Sequence, residues 1–419
     1  MPDLQREIGL PRATAYGVGQ ILGAGIYAIL GEAVALTGES IVVAFLLSAV
    51  VASFTGLSYA ELSSRLPSAA GDYAYVSEAF DSDLVAEFTA VARLLVGVIA
   101  AATVALAFAG YLSSLAAVSI VPTALALVAV LSVVNFVGID VSTKLNVFMA
   151  AAGVVGMLVV IWVGIGSWGA VDPFSTPNDL TGLFRASFLV FFAYVGFEDL
   201  VNVAEETENP SVTVPRAIVF ALLTTTVLYA LVAVSSVGVV DWRTLGGSDS
   251  PLALVAQVGL GPSAGVFLAV VALFSTTNTA LINLISTSRL VYGVAESDQR
   301  VFPTVLSRVH PDRKTPYFAV ALVGVGAVPF ALLGDIGTVA ELANLAMLTL
   351  FGLVNAALLN LRRSGAAEAG RTTEAGNPEA TGASPEFEVP FNVGWVPVTA
   401  VLGLLSSVAL VGFYLLRML

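Results

Sequence analysis

Two short stretches carry the residue types that chemistry would need. The first, Gly23-Ala24-Gly25-Ile26-Tyr27-Ala28, fits the G-x-G-x-x-G/A pattern of a dinucleotide-binding turn. The second, Gly196-Phe197-Glu198-Asp199, sets two carboxylates side by side in an otherwise apolar run. A nucleotide turn needs a strand before it, a helix after it and an acidic residue about 20 positions on to hold a ribose. Here the glycines lie inside an apolar run from about 13 to 37, the length at which a helix crosses a bilayer. In that setting glycines let a helix unwind and bring bare backbone up to a ligand. The alternative use is close helix packing, as Gly19 and Gly23 would allow. Glu198 and Asp199 would be costly against lipid, so they are expected to face a bundle interior or water.

The elements that must position these residues are membrane helices. Of 419 residues, 57% are hydrophobic and 11% charged, and the mean hydropathy is +0.92, more apolar surface than a soluble core of this size hides. Eleven apolar spans are expected, at about 13–37, 40–62, 84–116, 118–138, 145–168, 182–205, 216–240, 262–295, 317–334, 337–361 and 394–417. Continuous apolar runs without alternation read as helices, which makes the fold class an all-α polytopic membrane protein. About eleven residues precede the first span and no cleavage site follows a short apolar core, so that helix is expected to stay in the fold. The absence of cysteine excludes disulfides, zinc–thiolate sites and thiol catalysis. His310, the single histidine, lies in the polar connection RVHPDRK and reads as a surface residue.

Charge gives an orientation. With the N-terminus inside, thirteen of the 17 basic residues are cytoplasmic, from Arg6 and Arg12 to Arg363 and Arg371. Arg243 and Arg417 are then external, Arg93 and Arg185 lie near span ends, and an odd number of spans leaves the C-terminus outside. The net charge of -13, with fifteen Arg and two Lys, reads as adaptation to high salt. Acidic loops at Asp72 to Asp83, Glu205 to Glu208 and Glu368 to Glu388 would keep the surface hydrated. No basic face for nucleic acid is present.

The chain divides into a ten-helix core over 1–361, a polar segment at 364–390 expected to be a disordered cytoplasmic loop, and a peripheral eleventh helix at 394–417. Within the core, spans 1 and 6 are both interrupted and each opens a set of five, giving repeats of about 12–168 and 180–361. Paired broken helices of this kind point to an inverted-repeat transporter with a site at the bilayer midplane. Each break offers free carbonyls from one half-helix and free N–H groups from the other. Such a pair suits a zwitterion: N–H groups after Gly23 and Gly25 hold a carboxylate, and carbonyls of Phe192, Ala193 and Val195 accept from an ammonium.

Three stretches resemble the amino acid/polyamine/organocation transporters, which share the five-plus-five fold of the bacterial leucine transporter. They are GVGQILGAGIYAILG at 17–31, FFAYVGFEDLVNVAEETENPSVTVPRAI at 191–218 and FSTTNTALINLISTSRLVYGVAESD at 274–298. The resemblance implies that Gly23, Ala24, Gly25 and Ile26 cradle the substrate carboxylate while Phe192, Ala193 and Val195 meet the amine, with Ile21 and Gly196 completing the set. It also implies a gating role for Phe192 and a proton-coupling role for Glu198, whose alternative is a carboxylate held permanently by backbone N–H groups. Ser275 and Thr276 match a possible sodium-like site, although such hydroxyls more often bond their own backbone. Two positions depart from relatives: Ala152 or Gly153 stands where some carry a lysine, and Val96 stands where carriers of cationic amino acids have a glutamate. Neutral, apolar amino acids are therefore expected. Most relatives have twelve helices, so their views of dimerisation do not transfer, and the oligomeric state stays open.

The functional expectation is a proton-linked amino acid permease in the cell membrane, without cofactor or metal. Alternatives are an exchanger or a sodium-coupled symporter and, in another class, a sensor that binds amino acid without moving it. An enzyme is not expected, because no nucleophile, base and orienter constellation accompanies the carboxylates. A primary pump lacks its G-x-x-x-x-G-K-[ST] loop.

Overall fold

The computed structural model describes residues 8–66, 71–138, 143–175, 179–296, 301–374 and 386–418. Fifteen helices and one short hairpin make up the described chain. The first apolar run is split into α1 (Leu10–Ile21) and α2 (Gly25–Thr37), followed by α3 (Ile41–Arg65), the short α4 (Gly71–Ala79) and α5 (Asp83–Ser113). Next come α6 (Ile120–Val137), α7 (Thr143–Gly164) and α8 (Asp179–Val190). The chain then tightens into 3₁₀ geometry over Phe191–Tyr194 and Phe197–Glu206 before α9 (Pro210–Val239). Two small helices, α10 (Trp242–Gly246) and α11 (Pro251–Leu260), precede α12 (Pro262–Glu296), α13 (Tyr317–Ala331) and α14 (Ile336–Glu374). A hairpin of β1 (Asn392–Val393) and β2 (Val396–Pro397) leads into α15 (Val398–Met418).

Local sequence explains the punctuation. Pro11, Pro210 and Pro251 stand in the first turns of α1, α9 and α11, where a missing N–H costs nothing. Gly138 closes α6 in the left-handed region with φ of 71°. Among the described residues, nine helical stretches are long and apolar enough to cross a membrane, and α13 is a shorter apolar helix of 15 residues. Helical structure covers each apolar run marked in the sequence. The protein is an all-α polytopic membrane protein.

The core is built on close approach of small side chains. Along α5, Ala101, Ala102, Ala105 and Ala109 are completely buried, which lets α12 and α14 lie tight against it. In the same way α9 packs along α1 and α3.

Two sequence expectations are corrected. Asp72, assigned to a hydrated acidic loop, is buried in α4, where it accepts from the Tyr59 hydroxyl and faces Arg93 Nε at 3.7 Å. Its charge is neutralised inside the protein instead of by water. The segment 364–390 is also more structured than expected: α14 continues to Glu374, because Ala366, Ala367, Glu368 and Ala369 favour helix. At its far end, Phe387 N donates to Ser64 Oγ (3.0 Å) and Val389 N to Glu61 Oε2 (3.0 Å). Residues 375–385 lie outside the described residues.

Candidate functional site

The break in the first span is Leu22-Gly23-Ala24. The Leu22 N–H still reaches Val18 O, and the next regular bond, Ala28 N to Ala24 O, belongs to α2. A helix N-terminus leaves its first N–H groups without intrahelical partners, here those of Gly25, Ile26 and Tyr27, at the positive end of the α2 dipole. The break in the other span centres on Val195 and Gly196. Val195 is extended (ψ 136°), and Gly196 has φ of 124°, a conformation that L side chains rarely adopt.

The two breaks meet. A methyl at Gly25 would stand 2.6 Å from Ala193 Cα, and one at Gly196 would stand 2.9 Å from Gln20 O. Backbone therefore touches backbone at both points, and only glycine permits it. Ile21, Ala24, Ile26 and Ala193 are fully or almost fully buried here, and Phe192 is 7% exposed. The expected set Ile21, Gly23, Ala24, Gly25, Ile26, Phe192, Ala193, Val195 and Gly196 is thus brought to one place. An amino acid seated between Gly25 and Ala193 would have to part the two breaks.

Tyr229, Asn344 and Ser275 from other helices hold these segments, and Tyr27 of α2 ties the first of them to α7. Tyr229 of α9, fully buried, donates to Ile21 O (2.7 Å) and shares that hydrogen with Ala193 O (3.0 Å). Asn344 of α14 donates through Nδ2 to Phe188 O (2.6 Å) and Leu189 O (3.1 Å), carbonyls released where α8 ends. Tyr27 of α2 donates to Gly153 O of α7 (2.5 Å). Ser275 of α12 donates to Gly23 O (3.2 Å), and its Oγ also lies 3.0 Å from where a side chain at Gly153 would begin. Gly153, which with Ala152 is one of two candidates for the lysine position of some relatives, neighbours Ser275 and accepts from Tyr27, next to the first break. Thr276 behaves differently, since its hydroxyl returns to Ala272 O and Leu273 O of its own helix.

The acidic pair is held by a network the sequence did not reveal. Glu198 is 3% exposed; its Oε2 accepts from Gly196 N (2.8 Å), and its Oε1 lies 3.3 Å from Arg93 Nη1. Arg93 Nη2 bonds Asp199 Oδ1 at 2.9 Å. Three carboxylates, Asp72, Glu198 and Asp199, therefore converge on one guanidinium from α5. The expectation that the pair turns inward is met, and Arg93 proves to be a partner within the bundle. A lone arginine ten residues into an apolar span was the available signal.

A second buried ion pair lies at the Arg65 end of the bundle. Glu61 of α3 is completely buried and accepts from Arg362 Nε of α14 (2.6 Å) and from Arg65 Nη2 (2.7 Å). Near the opposite end, a cavity of about 110 Å³ is lined by Ala28, Gly31, Glu32, Gly110, Asp249 and Asp335 among others.

Comparison with known proteins places this architecture in context. The sequence matches the family described as amino acid permease over residues 8–416. It is 29% identical to the branched-chain amino acid permease BcaP of Bacillus subtilis over 388 residues, 86% of this chain and 82% of the relative. It is 28% identical to the methylthioribose transporter of the same organism over 426 residues, 96% of this chain and 86% of the relative. Cationic amino acid transporter 9, chloroplastic, of Arabidopsis thaliana is 30% identical over 338 residues, 74% of this chain and 58% of the relative.

Proposed function

The chain belongs to the amino acid permease family, and on that premise we propose that it is a secondary transporter of neutral, apolar amino acids working by alternating access. The observation that carries this reading is the meeting of two broken helices, with Gly25 at the α2 N-terminus against Ala193 and the carbonyls of Ile21 and Ala193 joined through the Tyr229 hydroxyl. The N–H groups of Gly25, Ile26 and Tyr27 supply partial positive charge for a carboxylate. The carbonyls of Ile21 and Ala193 supply acceptors for an ammonium. Ile26, Phe192 and Val195 leave an apolar environment for the side chain, and Val96 offers no counter-charge for a cationic one. The name of the Bacillus permease makes branched-chain amino acids the first to test.

Proton coupling is assigned to Glu198. Its carboxylate holds both Gly196 N–H and Arg93, so a proton taken up there weakens the tie between the second break and α5. The sodium reading has one supporting contact, Ser275 with Gly23 O, while Thr276 is committed to its own helix. The N-terminus is assigned to the cytoplasm on the skew of basic residues. The ten-helix core with two inverted five-helix repeats belongs to the same proposal.

The test is uptake of a labelled panel, L-leucine, L-alanine, L-arginine and methylthioribose, into proteoliposomes at high salt with imposed proton or sodium gradients. Leucine accumulation driven by the proton gradient is expected. Sodium dependence would shift coupling to Ser275. Binding with neither accumulation nor exchange would replace the transporter by a sensor, and arginine as the preferred substrate would overturn the neutral pocket.

A further inference from the structure

Tyr229 has no counterpart in the sequence reading, yet its hydroxyl bonds backbone carbonyls of both breaks. Its ring is set by Phe45 of α3, with centroids 5.5 Å apart, and by Tyr194 of the second break, at 5.4 Å. Its hydroxyl is thereby aimed between Ile21 O and Ala193 O, at 2.7 and 3.0 Å. These are the two carbonyls to which the proposed function assigns the substrate ammonium. Left without donors in a dry helix bundle, both would carry an unsatisfied-group penalty.

A phenol offers one hydrogen and an ammonium three, with a positive charge besides. The hydroxyl serves the two carbonyls by sharing, and an ammonium serves both in full. We infer that Tyr229 is a built-in stand-in for the substrate ammonium: it satisfies the two breaks when the carrier crosses without an amino acid, and it yields those carbonyls to the ammonium when one binds. Its role is positioning, and it rests on the transporter reading above. The consequence is kinetic. A carrier that can close over bare backbone returns without cargo and performs net uptake, whereas a carrier that needs an ammonium to close is confined to exchange.

The experiment uses Tyr229→Phe, which keeps the ring and its aromatic neighbours and removes the hydroxyl. Full-length wild type and variant are reconstituted, and tritiated L-leucine is followed into leucine-free vesicles for net uptake and into leucine-loaded vesicles for exchange. Net uptake is expected to fall about tenfold or more, the equivalent of one buried hydrogen bond, while exchange falls less than about twofold. An equal fall in both makes the tyrosine an ordinary structural pin and overturns the inference, as does no change in either.

A second readout needs no transport. The chain has no cysteine, so Glu32→Cys beside the acidic cavity gives a single site for an impermeant thiol reagent. Tyr229→Phe is expected to change the labelling rate without leucine, and leucine is expected to restore it to the parent value. A rate shifted equally with and without leucine would again mean a structural pin. A wild type that neither takes up nor exchanges any member of the panel sinks the transporter reading itself, a result distinct from either variant outcome.

Discussion

Gly25 lies so close to Ala193 that a single added methyl would stand 2.6 Å from the opposing Cα, a separation real side chains do not adopt. Gly25→Val therefore forces the two breaks apart. Overpacking of this kind costs about 1–3 kcal/mol, which depopulates the closed arrangement roughly five- to 150-fold. Leucine uptake should fall by that factor while the protein still inserts and elutes as the wild type does; unchanged uptake would remove Gly25 from the site. At Glu198 the expectation concerns pH. Glu198→Gln retains an acceptor for Gly196 N–H but carries no charge toward Arg93 and cannot titrate, so leucine binding should persist and the pH dependence of uptake should flatten. Loss of binding instead would make Glu198 an anchor, as its contacts with Gly196 and Arg93 also permit. Both residues were legible in the sequence, because glycine and carboxylate are conspicuous inside an apolar run. Tyr229, Asn344 and Asp72 were not, since a tyrosine or asparagine in a span announces no partner and the partners are supplied by distant helices.

At the scale of elements, the second break is set by Gly196, whose φ of 124° ends one helical segment and starts another. That a break would occur there was readable from a glycine followed by two carboxylates in an apolar span. Its 3₁₀ geometry over Phe197–Glu206 was not readable, nor was the distant Arg93 that pairs with Glu198 and Asp199 at its start. The far end of the segment 364–390 teaches the same lesson. Its composition is poor in large apolar residues, yet Val389 N, like Arg362 just before the segment, is tied to Glu61, a carboxylate 328 positions away from the former. Composition reports what a segment can bury and is silent about which buried charge elsewhere needs a donor. Arg362→Ala leaves Glu61 with only Arg65 and the Val389 N–H in a fully buried position, and breaking such a pair costs about 3–5 kcal/mol. The thermal midpoint of the purified protein should drop by several degrees. An unchanged midpoint would mean that water or Arg65 takes over the role.

For the molecule as a whole, charge and hydropathy act on different surfaces. The apolar runs determine that helices form and cross, and the 17 basic and 30 acidic residues are left mostly to the connections and helix ends. A net charge of -13 on those surfaces repels itself, and the repulsion reaches about 10 Å at 0.1 M salt but only about 3 Å at 1 M. The ion pairs Glu61 with Arg362, almost fully buried, and Glu198 with Arg93, largely buried, are screened much less. Raising sodium chloride from about 0.1 to about 1 M should therefore stabilise the detergent-purified protein, by relieving surface repulsion without weakening the internal pairs. Potassium chloride should do the same, since screening depends on ionic strength and not on the cation. A rise with sodium alone would point instead to a bound sodium ion near Ser275 and Gly23, and a flat or falling thermal midpoint in both salts would show that the acidic surface is not an adaptation to salt.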